Sequence, residues 1–97
     1  MEVEFADDEL DRLEIDAEYT AGLSPALVKA FRKRLQQIRA APDERNFYPI
    51  RGMRFEKLGR ERKGQHSIRL NDQYRLIVVL LDKGRNALRI IEITDYH

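Results

Sequence analysis

A chain of 97 residues with no cysteine, 42% hydrophobic and 36% charged residues is long enough for one modest core, and it excludes a disulfide framework, a thiolate metal site and a thiol nucleophile. The formal net charge of +1 hides an asymmetry: residues 1–20 carry nine acids against Arg12 alone, whereas residues 21–97 carry 17 Lys and Arg against eight acids. The longest apolar run, Leu76–Leu81, is six residues where a membrane span needs about 20, and the acidic first residues are unlike a secretory signal, so a soluble cytoplasmic domain is expected.

Without linkers, repeats or low-complexity tracts, the chain reads as one unit over residues 1–97. Residues 2–5 alternate Glu2, Val3, Glu4, Phe5, the pattern of a short strand with Val3 and Phe5 inward. Ala6, Leu10, Leu13 and Ala17 recur at helical spacing behind Asp7 and Asp8, whose charges complement a helix N-terminus, and a helix near 7–18 follows. Ser24 and Pro25 mark the start of a second helix with a Leu27, Phe31, Leu35, Ile38 stripe, ended by the region from Pro42 to Pro49. Its back carries Lys29, Arg32, Lys33, Gln36 and Arg39, either a solvated face or a polyanion surface.

From Met53 the period changes to two. Strands are expected over Met53–Leu58, Gln65–Leu70, Tyr74–Leu81 and Ala87–Ile93, separated by turns at Gly59–Gly64, Asn71–Asp72 and Asp82–Asn86. The fold class is therefore α+β: a short N-terminal strand and two helices packed on one face of a mainly antiparallel C-terminal sheet. The other face gathers Arg69, Arg75 and Arg89 with Ser67 and Gln65 into a curved basic platform.

His66 and His97 have no metal-ligand spacing, and Arg62-Lys63-Gly64 lacks the pattern of a phosphate loop, so neither metal nor cofactor is expected. By strand parity His66 sits with Ile68 and Leu70 at the edge of the core. The distinctive chemistry lies in Asp95-Tyr96-His97 after an apolar strand. Tyrosine and histidine exchange protons, aspartate orients an imidazole, and a nearby arginine neutralises a pentavalent phosphate, a set that suits phosphodiester transfer. RNA supplies its own 2′-hydroxyl nucleophile. The same tripeptide also fits a frayed polar tail.

The stretch from Lys63 to Leu76, KGQHSIRLNDQYRL, followed by Glu92-Ile93-Thr94-Asp95-Tyr96-His97, resembles the HigB branch of the RelE-like toxins, also called plasmid-maintenance killer proteins. Arg54-Phe55-Glu56-Lys57-Leu58 and the chain length agree; the resemblance is close over about residues 51–97 and covers the helical half in pattern only. It implies a RelE-like fold and a ribosome-dependent mRNA endonuclease that cuts codons in the decoding site. The implied partner is a helix-turn-helix antitoxin, HigA-like, through which alone the protein meets DNA. The resemblance places Arg75 in the active site with Asp95, Tyr96 and His97. The family's additional histidine before the charged turn is missing, and Glu56 or Lys57 occupies that region.

From the residues themselves, Arg75 binds the scissile phosphate, because a guanidinium fork matches phosphate oxygens and stays charged. His97 transfers the proton, Tyr96 stacks on a base or donates a proton, and Asp95 orients His97 or Arg75. Lys57, Arg60, Arg62, Lys63 and Arg69 hold RNA backbone. A catalytically inactive relative that only binds antitoxin or ribosome is the alternative. A plain RNA-binding sheet would need aromatic residues, for which Tyr74 and Tyr96 are the near candidates.

Overall fold

In the computed structural model, which describes residues 1–62, 64–81 and 87–95 and only the backbone of Arg60, a five-stranded sheet carries two helices. The strands are β1 (Glu2–Phe5), β2 (Glu56–Lys57), β3 (Gln65–Arg69), β4 (Tyr74–Leu81) and β5 (Ala87–Asp95), and the helices are α1 (Asp8–Ile15) and α2 (Pro25–Ala40). Sheet order is β1-β5-β4-β3-β2; β2 to β5 run antiparallel and β1 joins β5 in parallel. The sheet is thus mixed, because α1 and α2 lie between β1 and the meander and return the chain in the opposite sense.

The longer helix begins where the sequence places it. Ser24 Oγ accepts the Leu27 N–H at 3.2 Å and Pro25 fills the first turn, a cap contributing about 1 kcal/mol. Leu27, Val28, Phe31, Leu35 and Ile38 are buried against Ile68, Leu76, Val78, Leu88 and Ile90. Register puts Ile68 opposite Leu76, Val78 opposite Ile90 and Leu80 opposite Leu88, so one sheet face carries the core. Each such side chain contributes roughly 1.5–3 kcal/mol on burial.

Three expected elements change. Helix α1 stops at Ile15 rather than near residue 18, because Asp16 takes an extended conformation and its carboxylate accepts the Glu18 N–H at 3.0 Å. The released carbonyls of Leu13, Asp16 and Tyr19 all accept the Arg32 guanidinium, at 2.9–3.1 Å. Arg39 likewise grips Glu14 through two bonds of 2.6 and 2.7 Å. Half of α2's basic back therefore docks α1, while Lys29, Lys33 and Gln36 face solvent.

The strand expected over Met53–Leu58 shrinks to Glu56–Lys57. Gly52 at φ +79° and Arg54 at φ +47° turn the chain through the left-handed region, and the Met53 carbonyl is taken by the Arg69 N–H at 2.7 Å. The charged turn contains a short 3₁₀ turn at Arg60–Arg62, and β5 runs to Asp95 rather than Ile93.

The face away from the helices holds Gln65, Ser67, Arg69, Arg75 and Arg89 as expected, but it is not uniformly basic. Register also places Glu4, Glu56 and Glu92 there, and Arg89–Glu4, Arg75–Glu56 and Arg62–Glu92 form ion pairs at 3.2, 3.0 and 3.4 Å. A bulge beside Ile91, where Ile77 pairs with Glu92 and Val78 with Ile90, aligns Glu92 and Thr94 with Arg75's face. Leu58 and Ile77 are buried outside the helix-side core.

Candidate active site

Arg75 is the second residue of β4, with Arg69 of β3 directly across on one side and Thr94 of β5 on the other. Two like charges directly opposite one another destabilise a ladder. Each is matched by a carboxylate: Asp72 meets Arg69, and Glu56 Oε2 accepts Arg75 Nη2 at 3.0 Å. Arg75 Nε also donates to Ser67 Oγ at 3.1 Å, and Nη2 lies 3.5 Å from the Arg54 carbonyl. Ser67 is fully buried and the Arg75 side chain is only 13% exposed, so the fork is held in one plane between β3 and β2. Such fixed donors stabilise developing charge without reorganising.

Beside it opens a polar concavity of about 340 Å³ lined by Gly52, Arg54, Arg69, Asn71, Asp72 and Arg75. Three guanidinium-bearing residues share this wall. The β3–β4 turn that forms its floor is closed by Asn71, whose Oδ1 accepts the Gln73 and Tyr74 N–H groups at 2.9 and 2.7 Å. Arg54 arrives from the left-handed turn, a conformation costing an L-residue roughly 1–2 kcal/mol.

The other expected site residues divide. Lys57 pairs with His66 across β2–β3, so it projects from the face opposite Glu56 and Arg75 and does not join the concavity. Asp95 pairs with Tyr74, which also puts it on the face opposite Arg75, where Gln73 Nε2 donates to it at 2.9 Å. On its own face Arg75 is oriented by Ser67 and Glu56. Arg62 bonds Gln65 at 3.1 Å and Glu92 at 3.4 Å. Tyr96, His97 and Lys63 lie outside the described residues, as does the side chain of Arg60.

His66 takes the core-edge position that parity indicates. Its ring stacks on Phe55 at 4.7 Å and 6°, and Phe55 packs edge-on against Phe47 and Tyr48. Burial, reinforced by the Lys57 charge and opposed by Glu44, holds its pKa below 6.5, so the ring is neutral at pH 7.

Arg34 was not legible as a site-building residue. It stands seven residues after Leu27 and three after Phe31, a position on the apolar stripe that holds a cation, and that mismatch was the available signal. It is 6% exposed and donates to the Gly52 and Arg69 carbonyls at 2.8 and 2.9 Å.

Over residues 3–97 the sequence matches the HigB-like toxins, described as the RelE-like toxin of the type II toxin-antitoxin system HigB. The chain belongs to this family. It is accordingly a type II toxin with an antitoxin as partner, in a family whose known activity is mRNA cleavage. Its fold resembles that of the YoeB/ParE toxin from Agrobacterium tumefaciens, with 17% identity, TM-score 0.62 and 100% of both chains covered. It also resembles a chain of the YoeB-YefM complex from Staphylococcus aureus, at 23% identity and TM-score 0.64 over 100% of this chain and 97% of that one. YafQ from E. coli strain BL21(DE3) matches at 15% identity and TM-score 0.55, covering 97% and 91%. No curated protein matches the sequence. Among the described residues no helix is long and apolar enough to cross a membrane.

Proposed function

We propose that this HigB-like toxin is a cytoplasmic, ribosome-dependent mRNA endonuclease whose cleavage centre is Arg75 with Glu56. The observation that carries this reading is the fixed Arg75 fork, bonded on one side to Ser67 and on the other to the Glu56 carboxylate at 3.0 Å, at the rim of a polar concavity. A cation for the phosphate and an acceptor for the proton stand side by side.

In the proposed reaction the 2′-hydroxyl of the nucleotide 5′ to the cut attacks phosphorus. Its proton passes to Glu56, the bond to the 5′-oxygen breaks, and the products are a 2′,3′-cyclic phosphate and a 5′-hydroxyl. Arg75 stabilises the equatorial oxygens of the pentavalent state. Glu56 fills the region of the missing family histidine. His97 is the proposed proton donor to the leaving oxygen, with Tyr96 stacking on a base or donating a proton and Asp95 orienting His97. Arg69 binds backbone phosphate in the concavity, while Arg60, Arg62, Lys63 and, from the other face, Lys57 hold message or ribosomal RNA. The partner is proposed to be a HigA-like helix-turn-helix antitoxin, with DNA contacted only through it.

Induction of the wild type and of Arg75→Ala, followed by mapping of 5′ ends on cellular transcripts, tests the reading. New ends at in-frame codons with the wild type alone support it; identical ends with both contradict it.

A further inference from the structure

Among the described residues, Arg54, Arg69 and Arg75 line the concavity with Arg34 beneath it, and two carboxylates, Asp72 and Glu56, form ion pairs with this group. Arg69 is matched by Asp72 and Arg75 by Glu56, leaving Arg54 on the wall and Arg34 beneath it. The partners of Arg34 are all neutral: Nε donates to the Arg69 carbonyl at 2.9 Å, Nη1 to Gln37 Oε1 at 2.8 Å and Nη2 to the Gly52 carbonyl at 2.8 Å. Burial and the nearby Arg69 charge pull its pKa below the ordinary guanidinium range, and an arginine so lowered remains a cation at working pH. Together with the Arg69 N–H bond to the Met53 carbonyl, these contacts tie the 51–54 turn to the end of β3. A Cβ on Gly52 would come within 3.4 Å of Arg34 Nη2, so the turn lies close upon the guanidinium.

One phosphodiester brings one negative charge, and among the described residues these four cations outnumber their paired carboxylates by two. The geometry points to a second anion subsite in this concavity: Arg54 and Arg69, mounted on the buried Arg34, take the phosphate next to the one held by Arg75. Arg54 and Arg69 touch the ligand, and Arg34 is a positioning residue. The inference rests on the RNA-cleavage reading and adds to it a neighbouring phosphodiester of a single strand as the ligand. The left-handed Arg54 has a purpose in this arrangement, because that turn is what brings its residue to the wall.

The test uses programmed ribosomes carrying messages with a neutral methylphosphonate at either linkage flanking the scissile one. With the wild type, single-turnover cleavage should slow about 10- to 100-fold for one of the two, the range for losing a charge-assisted hydrogen bond. Arg54→Gln, a change at an exposed residue, should slow cleavage of the all-phosphate message comparably and be indifferent to that methylphosphonate. An undiminished methylphosphonate penalty in Arg54→Gln, or no penalty at either linkage in the wild type, overturns the subsite while leaving cleavage intact.

A titration with inorganic phosphate, read at the arginine Nε–Hε resonances, does not require activity. Shifts at Arg54 and Arg69 that weaken in a folded Arg34→Lys while the Arg75 response persists support the subsite. Absence of shifts at Arg54 and Arg69 in the wild type overturns it. A wild type that responds to phosphate but cuts no message loses the cleavage reading and retains the anion site.

Discussion

Arg75 and Glu56 face each other across strands that share no local sequence, and their separation of 3.0 Å makes each dependent on the other. Glu56→Gln keeps the side-chain shape and a hydrogen-bonding oxygen for Arg75 but removes the proton acceptor. We expect cleavage to fall by roughly 10²–10⁴ at neutral pH with the melting temperature little changed; equal single-turnover rates would reassign the proton to another group. His66 provides a pH-dependent contribution to stability. Its folded pKa lies below the unfolded reference of 6.5, so the unfolded chain binds the proton first as pH drops. The contribution is fully present above about 6.5 and erodes as pH falls toward the folded value. Melting between pH 7.5 and 5.5 should therefore decline more steeply for the wild type than for His66→Phe, and parallel declines would contradict this. Arg75 could be singled out from sequence because the resemblance to the HigB-type toxins places the arginine of the Tyr-Arg-Leu strand in the active site, and a guanidinium fork suits phosphate chemistry. Arg34 could not, because its partners are carbonyls of Gly52 and Arg69, and a sequence does not show which carbonyls a turn leaves open.

At the level of elements, α1 depends on α2. Eight residues are too few for an independent helix, and three C-terminal carbonyls of the α1 region converge on one guanidinium from Arg32. Arg32→Ala should cost about 1–3 kcal/mol, measured by denaturant unfolding, with amide exchange rising first in Asp8–Ile15; an unchanged midpoint would make the contact incidental. The periodicity of residues 65–81 placed β3 and β4 to within a residue, since alternation and an Asn-Asp turn agree there. It overextended β2, because Gly52 and Arg54 adopt positive φ and nothing in an alternating Met-Arg-Phe-Glu-Lys-Leu run signals that. With β2 reduced to two residues, the parity of Glu56 and Lys57 follows from pairing with Ser67 and His66. The charged turn belongs to the same scale. Arg62 is already matched to Glu92, so neutralising Arg60, Arg62 and Lys63 together should flatten the log–log salt dependence of ribosome association by about two units. An unchanged slope would show that this turn faces solvent throughout.

Across the whole molecule the charge asymmetry becomes spatial. The acidic β1 forms one edge of the sheet, whereas Glu56 on β2 and the arginines of β3 and β4 lie toward the other. The proposed function has a polyanion steered toward the arginine end, and Glu4 and Glu14 are engaged with Arg89 and Arg39. The acidic opening is thus a feature of the far edge and of α1, a placement that charge counts alone do not give. Arg75's proposed role is transition-state stabilisation in RNA cleavage on the ribosome. Its most direct test is single-turnover cleavage of one message, naked and on programmed ribosomes, by the wild type, Arg75→Lys and Arg75→Ala with folding verified by circular dichroism. We predict cutting at the decoding-site codon on ribosomes only, a rate lower by about 10²–10³ for Arg75→Ala, and partial recovery with lysine. Cleavage by Arg75→Ala at the wild-type rate would remove Arg75 from that role.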